Sequence, residues 1–212
     1  MVIHKEIRQD LSLILNAIPP DSRVVDLGCG RGELMHDLRH DKRCQVQGVE
    51  LYHDYIAACV EKGLPVIQGD LDEGLGDYPD QSFDYVILSR TLQVIHKPDN
   101  ILKEIVRVGK TGIISFPNFG HYKVRTSLLL TGRMPVTRSL PYTWYNTPNI
   151  HLLTVKDFKT FCKENAINIH KQIHLGQKQQ PGTLTQTVPG LFAVQSVFFI
   201  GSMLIRVGGI VL

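Results

Sequence analysis

Several familiar signals are missing from this chain of 212 residues, and each absence removes a class of function. Lys and Arg number 23 against 20 Asp and Glu, with no basic run and no interleaved aromatic stripe, so nothing here tracks a nucleic-acid backbone. The four cysteines, Cys29, Cys44, Cys59 and Cys162, form no C-x-x-C pair, which removes a disulfide scaffold and a zinc ribbon. Apolar stretches stay short. The longest, Val197 to Leu212, is interrupted by Arg206 and falls below the roughly 20 residues that cross a bilayer. It reads as a core strand followed by an apolar tail, with a membrane or partner contact through Ile210, Val211 and Leu212 as the alternative. The start turns charged at His4-Lys5-Glu6 before a signal-like apolar segment forms, so the expected location is the cytoplasm. A hydrophobic fraction of 43% and a charged fraction of 20% suit one globular domain with an elaboration.

Against these absences stands Val24-Val25-Asp26-Leu27-Gly28-Cys29-Gly30-Arg31-Gly32-Glu33, an apolar strand with an acid near its end and three glycines at alternate positions. Glycine permits a tight turn and lets a ligand lie against the main chain. A dinucleotide fingerprint spaces its glycines G-x-G-x-x-G and places a pyrophosphate on the helix that follows. Here the spacing is G-x-G-x-G, and Asp26 would repel a pyrophosphate. The carboxylate favours a cation without phosphate, and S-adenosylmethionine, with its ammonium and sulfonium, has that character. A dinucleotide turn and a purely structural β-to-α turn are the alternatives.

The surrounding pattern predicts an α/β domain. Apolar residues Ile7, Leu11, Ile14, Leu15 and Ile18 recur at helical spacing until Pro19-Pro20, so a helix covers the sheet ahead of the first strand. Strand-like runs follow at 44–51, 64–69, 83–88, 112–116, 167–175 and 191–200, with helices expected over 32–39, 53–62, 98–108 and from Thr154 to about Asn165. Thr154-Val155-Lys156-Asp157 nearly matches a capping box. This alternation implies a Rossmann-like, mostly parallel seven-stranded sheet with helices on both faces and an antiparallel last strand. Gly176 to Gly190 lacks helical periodicity and is expected to be a loop. Residues 1–212 form one domain: an N-terminal helix in 1–22, a cofactor-binding half in 23–117, a crossing segment with a short helix in 118–153, a helix and hairpin in 154–200, and the tail in 201–212.

Ligands in open parallel sheets bind outside the carboxyl ends of the strands. Each of the first four ends carries a candidate. Asp26 with Gly28, Cys29, Gly30 and Gly32 ends the first, and Glu50 with Leu51 ends the second, where one carboxylate accepts both hydroxyls of a ribose. Asp70 with Leu71 ends the third, suited to an adenine amine and a ring nitrogen, or alternatively forms a solvated acidic turn with Asp72 and Glu73. Ser89 ends the fourth, its backbone facing the methionine end of the cofactor.

Together these residues resemble the class I S-adenosylmethionine-dependent methyltransferases over about the first 117 residues. A narrower similarity lies in Ile87-Leu88-Ser89-Arg90-Thr91-Leu92-Gln93, Val106 to Lys110, Ile113 to His121 and Leu140 to His151, which resemble the MetW proteins of bacterial methionine biosynthesis up to about residue 200. Arg90 and His96 depart from that pattern, and the apolar tail lies outside it. The resemblance implies a methyltransferase-like fold, S-adenosylmethionine or S-adenosylhomocysteine as ligand, and homoserine O-acyltransferase as partner. It leads to two expectations: an accessory or regulatory partner of that acyltransferase, or an active methyltransferase on an unknown small-molecule acceptor.

The crossing segment gathers His121, Tyr122, Arg125, Arg133, Arg138, Trp144, Tyr145, Asn146 and His151. As an acceptor pocket it would offer His121 or His151 as general base. As a lid it would fill apolar space with Tyr142, Trp144 and Tyr145, and as an interface it would present the same residues to a partner. No metal is expected, since His36 with His40 and His170 with His174 lack further ligands nearby. Ser89 lacks G-x-S-x-G surroundings and Cys29 reads as a small turn residue, so neither is expected to act as a nucleophile. No asparagine-proline-proline-aromatic string of the amino-methylating nucleic-acid enzymes occurs.

Overall fold

In the computed structural model the described residues are 8–137, 139–177, 180–202, 206–207 and 210–211, the last two pairs as backbone only. The elements run α1 (Gln9–Ala17), β1 (Arg23–Leu27), α2 (Glu33–Lys42), β2 (Gln45–Glu50), α3 (His53–Glu61), β3 (Val66–Gln68), β4 (Phe83–Ser89), α4 (Pro98–Val108), β5 (Gly109–Pro117), α5 (Tyr122–Thr131), α6 (Val155–Glu164), β6 (Ile167–Leu175), α7 (Thr183–Thr187), α8 (Pro189–Phe192), β7 (Gln195–Ser202), β8 (Arg206–Val207) and β9 (Ile210–Val211). Seven strands form one sheet in the order β3-β2-β1-β4-β5-β7-β6, and β8 and β9 pair separately. β1 to β5 pair in parallel, whereas β7 runs antiparallel to both β5 and β6. The expected α/β architecture with its reversed last strand is what forms.

Strand alternation divides the core into two layers. Val25, Leu27, Val86, Leu88, Ile114, Phe116 and Phe198 face α4 and α6, with the Phe116, Phe158 and Phe198 rings 4.7–5.6 Å apart. Val24, Ile87, Ile113 and Val197 face the other way and pack with Ile14 and Ile18 from the α1 region and with Leu34, Met35 and Leu38 of α2. Asp26 has the parity of Val24, so the same alternation that buries the core places the acid on the α1 side of the sheet. Gly109 ends α4 and begins β5 in a single residue. A Cβ there would lie 2.5 Å from Val86 Cγ2, so the helix-to-strand corner closes only around glycine.

The sequence expectations shift at several boundaries. Gly32 is the cap of α2 rather than its first residue, and that helix continues to Lys42. The capping box of α6 forms as expected, with Asp157 N donating to Thr154 Oγ1 at 3.2 Å and Thr154 N donating to Asp157 Oδ2 at 3.2 Å. The expected loop over 176–190 instead contains α7 and the start of α8, and the strand expected from Leu191 begins at Gln195. Both helices are too short to show a period. Local devices form them: Thr185 Oγ1 accepts from Gly182 N at 2.8 Å, and Pro189 opens α8 with its φ already set. Ile7, Arg138 and the tail contact through Ile210, Val211 and Leu212 involve positions or side chains outside the described residues.

Candidate cofactor site

The turn after β1 is pinned to β2, because Gly28 N and Cys29 N both donate to Val49 O, at 2.8 and 3.3 Å. Two of its glycines have different jobs. Gly28 (φ +70°) lies against the turn after β4, where a Cβ would come 2.7 Å from Thr91 Oγ1. Gly30 (φ +58°) has nothing within 4 Å of its Cβ position, so the space against its Cα is open, while its N–H donates to Glu50 Oε2 and its carbonyl accepts from Cys59 Sγ at 3.3 Å. Gly32 takes φ +75° at the mouth of α2. Cys29 is buried and free, and burial pushes its thiol up, which removes it as a nucleophile.

Glu50 closes the turn from the β2 side. Its carboxylate is 6% exposed and accepts from Gly30 N at 2.8 Å, Leu51 N at 2.9 Å and Tyr52 N at 3.1 Å. Three amides therefore orient one charge towards the glycine turn. Leu51 itself is exposed. Asp26, 4% exposed, receives no hydrogen bond among the described residues. Burial pushes its carboxyl up to about 7; Arg8 opposes the shift, while Glu50 and Glu33 add to it. A buried carboxylate without a donor among the described residues, beside a second carboxylate and the open space at Gly30, fits a cation and repels a pyrophosphate. This acidic acceptor set suits the ammonium and sulfonium of S-adenosylmethionine.

At the β3 end Asp70 is exposed and accepts from Asp72 N at 2.9 Å, opening a 3-10 turn at the buried Leu71. Asp72 in turn accepts from His96 N and Lys97 N, at 3.1 and 2.8 Å, which ties that turn to the start of α4. Ser89 is buried at the β4 end within a charged network that sequence reasoning missed. Its Oγ accepts from Arg8 Nη2 at 2.8 Å, lies 2.9 Å from Ser115 Oγ and donates to Asp10 Oδ2 at 3.2 Å. Asp10 is fully buried. Burial pushes its carboxyl up, yet the Arg8 hydrogen bond and the Arg8 and Arg90 charges outweigh that and hold it below the ordinary value. The partners are far apart in sequence, and the only local signal was an acid within the apolar stripe of α1.

The crossing segment is tied down at both ends. Asn118 Nδ2 donates to Ala193 O at 2.8 Å, its Oδ1 accepts from Gly120 N at 3.0 Å, and Ile150 N and His151 N donate to Gln93 O at 2.8 and 3.0 Å. His121 caps α5, its Nδ1 accepting from Lys123 N at 3.2 Å; His151 Nε2 is buried with no partner among the described residues. The aromatics do not fill apolar space as a lid would: Trp144 is 76% exposed and packs edge-on against the exposed Tyr145 at 5.6 Å. His36 and His40 do share a helix face, their rings 4.3 Å apart, but no group of three or more His, Cys, Asp or Glu among the described residues is placed to hold a metal ion. No helix among the described residues is long and apolar enough to cross a membrane.

The family model for methionine biosynthesis protein MetW matches residues 8–200. The chain belongs to the MetW family. The bifunctional methionine biosynthesis protein MetXA/MetW of Rhodopirellula baltica is 34% identical over 197 residues, covering 84% of this chain and 32% of that protein. The MetW chain thus spans about a third of that relative's length. Phosphatidylethanolamine N-methyltransferase of Cereibacter sphaeroides is 29% identical over 96 residues, covering 42% of this chain and 46% of that one. Solved structures share the MetW fold at low identity. An S-adenosylmethionine-dependent methyltransferase from Mesorhizobium loti has 16% identity and a TM-score of 0.66, over 90% of this chain and 97% of that chain. One from Archaeoglobus fulgidus has 16% identity and a TM-score of 0.64, over 91% of each. This MetW chain accordingly has the fold of the S-adenosylmethionine-dependent methyltransferases.

Proposed function

We propose that this chain binds S-adenosylmethionine, or S-adenosylhomocysteine, at the carboxyl ends of β1 to β4 and serves homoserine O-acyltransferase as an accessory or regulatory partner. Buried Asp26, with no donor among the described residues, beside the open space at Gly30 carries the ligand half of this reading. Asp26 offers its charge to the ammonium, Glu50 an acceptor to the ribose, Asp70 and the Leu71 amide a donor-acceptor pair to adenine, and Ser89 its backbone to the methionine end. When bound, S-adenosylmethionine supplies an electrophilic methyl on sulfur. The partner half is supported by the name of the relative that joins MetXA and MetW in one chain, and by the exposed apolar side chains of the crossing segment, Leu129 at 83%, Leu130 at 82% and Trp144 at 76%. A ligand that binds the free and partner-bound states with different affinity makes the pair a sensor of pathway status.

Calorimetric titration with S-adenosylmethionine, alone and with the organism's acyltransferase whose rate is followed, tests both halves. Saturable binding with a changed rate is expected. No heat removes the ligand assignment, and an unchanged rate removes the partnership. A cavity beside Arg90 favours a second reading, methyl transfer to a small acceptor. Incubation of a metabolite extract with methyl-labelled cofactor tests it, since transfer of label is expected only if the cavity seats an acceptor.

A further inference from the structure

On the far side of Arg90 from β1, a cavity of about 450 Å³ opens between α5, the end of β6 and the start of β7. We propose that this cavity is a binding site for a small carboxylate, held by Arg90, Lys123 and His121. The inference needs no occupant at Asp26 and stands apart from the cofactor reading.

Three observations carry it. First, the charge is one-sided. Arg90 and Lys123 line the cavity, and no acidic residue lines it among the described residues. Asp10, the nearest carboxylate to Arg90, is already shared with a second guanidinium: Arg8 Nη2 lies 2.8 Å from its Oδ2 and Arg90 Nε 3.4 Å. Asp10 is closer to Arg8 than to Arg90, and the cavity side of Arg90 has no carboxylate among the described residues.

Second, the polarity of the neutral groups is fixed. His121 Nδ1 accepts from a backbone amide, so the ring proton sits on Nε2, which is buried with no partner among the described residues. It is a donor waiting for an acceptor. Gln195 Oε1 accepts from Arg90 Nη2 at 2.6 Å and aims the guanidinium, while its own Nε2 leans towards Asp10 without reaching hydrogen-bond geometry. Gln195 is therefore a positioning residue.

Third, the donors are side chains rather than a helix end. The amides of Lys123, Val124 and Arg125 are spent on His121 Nδ1 and His121 O, so the start of α5 lacks the open amides that cradle a phosphate. Arg90 Nη1, which has no hydrogen bond among the described residues, the exposed Lys123 ammonium, which also donates to Gln177 Oε1 at 3.0 Å, and one imidazole N–H together match a carboxylate. Leu175, Val124 and Val194 supply an apolar wall for the carbon chain behind it.

Calorimetry on the purified chain, without S-adenosylmethionine, is run with acids from propionate to adipate, with their methyl esters and with inorganic phosphate. Saturable binding of at least one acid is expected, with none for its ester and weaker binding of phosphate. Lys123→Glu reverses an exposed charge and is expected to weaken binding about tenfold or more. His121→Asn keeps an N-cap acceptor while removing the Nε2 donor, and a loss of several-fold is expected with an unchanged thermal midpoint. Should His121→Asn unfold, Lys123→Glu still decides. Absence of saturable acid binding, equal binding of the ester, preference for phosphate, or wild-type affinity in Lys123→Glu each overturns the proposal. Titration of the same sample with S-adenosylmethionine separates failure here from failure of the cofactor reading.

Discussion

The two ends of the sheet's carboxyl edge are built in opposite ways. Over β1 to β3 the groups are acids, Asp26 and Glu50 at the glycine turn, where the Gly30 amide holds Glu50, and Asp70 at the end of β3. Over β4 to β7 they are cations and neutral donors, Arg90, Lys123 and His121, set by side chains from distant segments. Buried Asp10 stands between the two with Arg8 and Arg90 on either side. Opposite charge at neighbouring sites implies ligands of opposite charge. Local backbone can shape the first site, whereas the second exists only once the chain has folded.

Removing the divider has the largest expected effect. Asp10→Ala leaves two guanidiniums and two serine hydroxyls without their shared acceptor, and a loss of about 3 kcal/mol in urea unfolding is expected, the half-exposed arginines keeping it from being greater. Gly28→Ala comes next. A left-handed φ of +70° and a 2.7 Å approach to Thr91 together give an expected loss of about 2 kcal/mol, with cofactor binding reduced alongside.

Asp26→Asn sharpens the comparison by separating binding from stability. Affinity for S-adenosylmethionine is expected to fall by about 1–3 kcal/mol in calorimetry. Stability moves the other way. The folded carboxyl titrates at about 7 against 3.8 for the unfolded group, so its contribution is full below about pH 4 and is lost as pH rises towards 7. Asparagine removes that decline, so the variant is expected to gain on the parent between pH 5 and 8 in urea midpoints. His174, lowered to about 4 by burial with the Lys159 charge adding, loses stability as pH falls through 6.5 to 4, and taking the variant-minus-parent difference cancels it. In the parent, cofactor affinity is expected to rise with pH through about 7 as Asp26 ionises.

The smallest change in stability is expected at the surface. Trp144→Ala removes a largely exposed ring and is expected to stay within about 0.5 kcal/mol in unfolding, while abolishing any change in acyltransferase rate on mixing. Retained coupling would move the partner surface elsewhere on the chain.

The legible elements share one physical property, in that their signals are local. Near-continuous apolar runs define β1 and β4, a proline pair ends α1, and Thr154 with Asp157 caps α6. The turn of Asp26 and Gly28 to Gly32 is legible for the same reason, since spacing alone dictates a left-handed backbone beside an acid. α7 and α8 escaped because helices of one turn carry no period, and the residues that start them, Thr185 bonded back to Gly182 and Pro189 in the first helical position, look like loop residues in a row of Gln, Thr and Gly. The sequence leaves Trp144 open between an acceptor pocket, lid filling and a partner surface, because a residue's burial depends on what folds over it, and nothing among the described residues covers this ring.

The sequence by itself therefore determined the parallel sheet, its reversed last strand, the family and the acidic glycine turn, because hydrophobic period, caps and glycine conformations act over a few residues. Only the tertiary structure decided that Asp10 lies between Arg8 and Arg90, that Asn118 ties the crossing segment to Ala193, and that Arg90, His121 and Lys123 share a cavity. These pairings bring together residues up to 105 positions apart, and charges meet across that distance only after the sheet has closed.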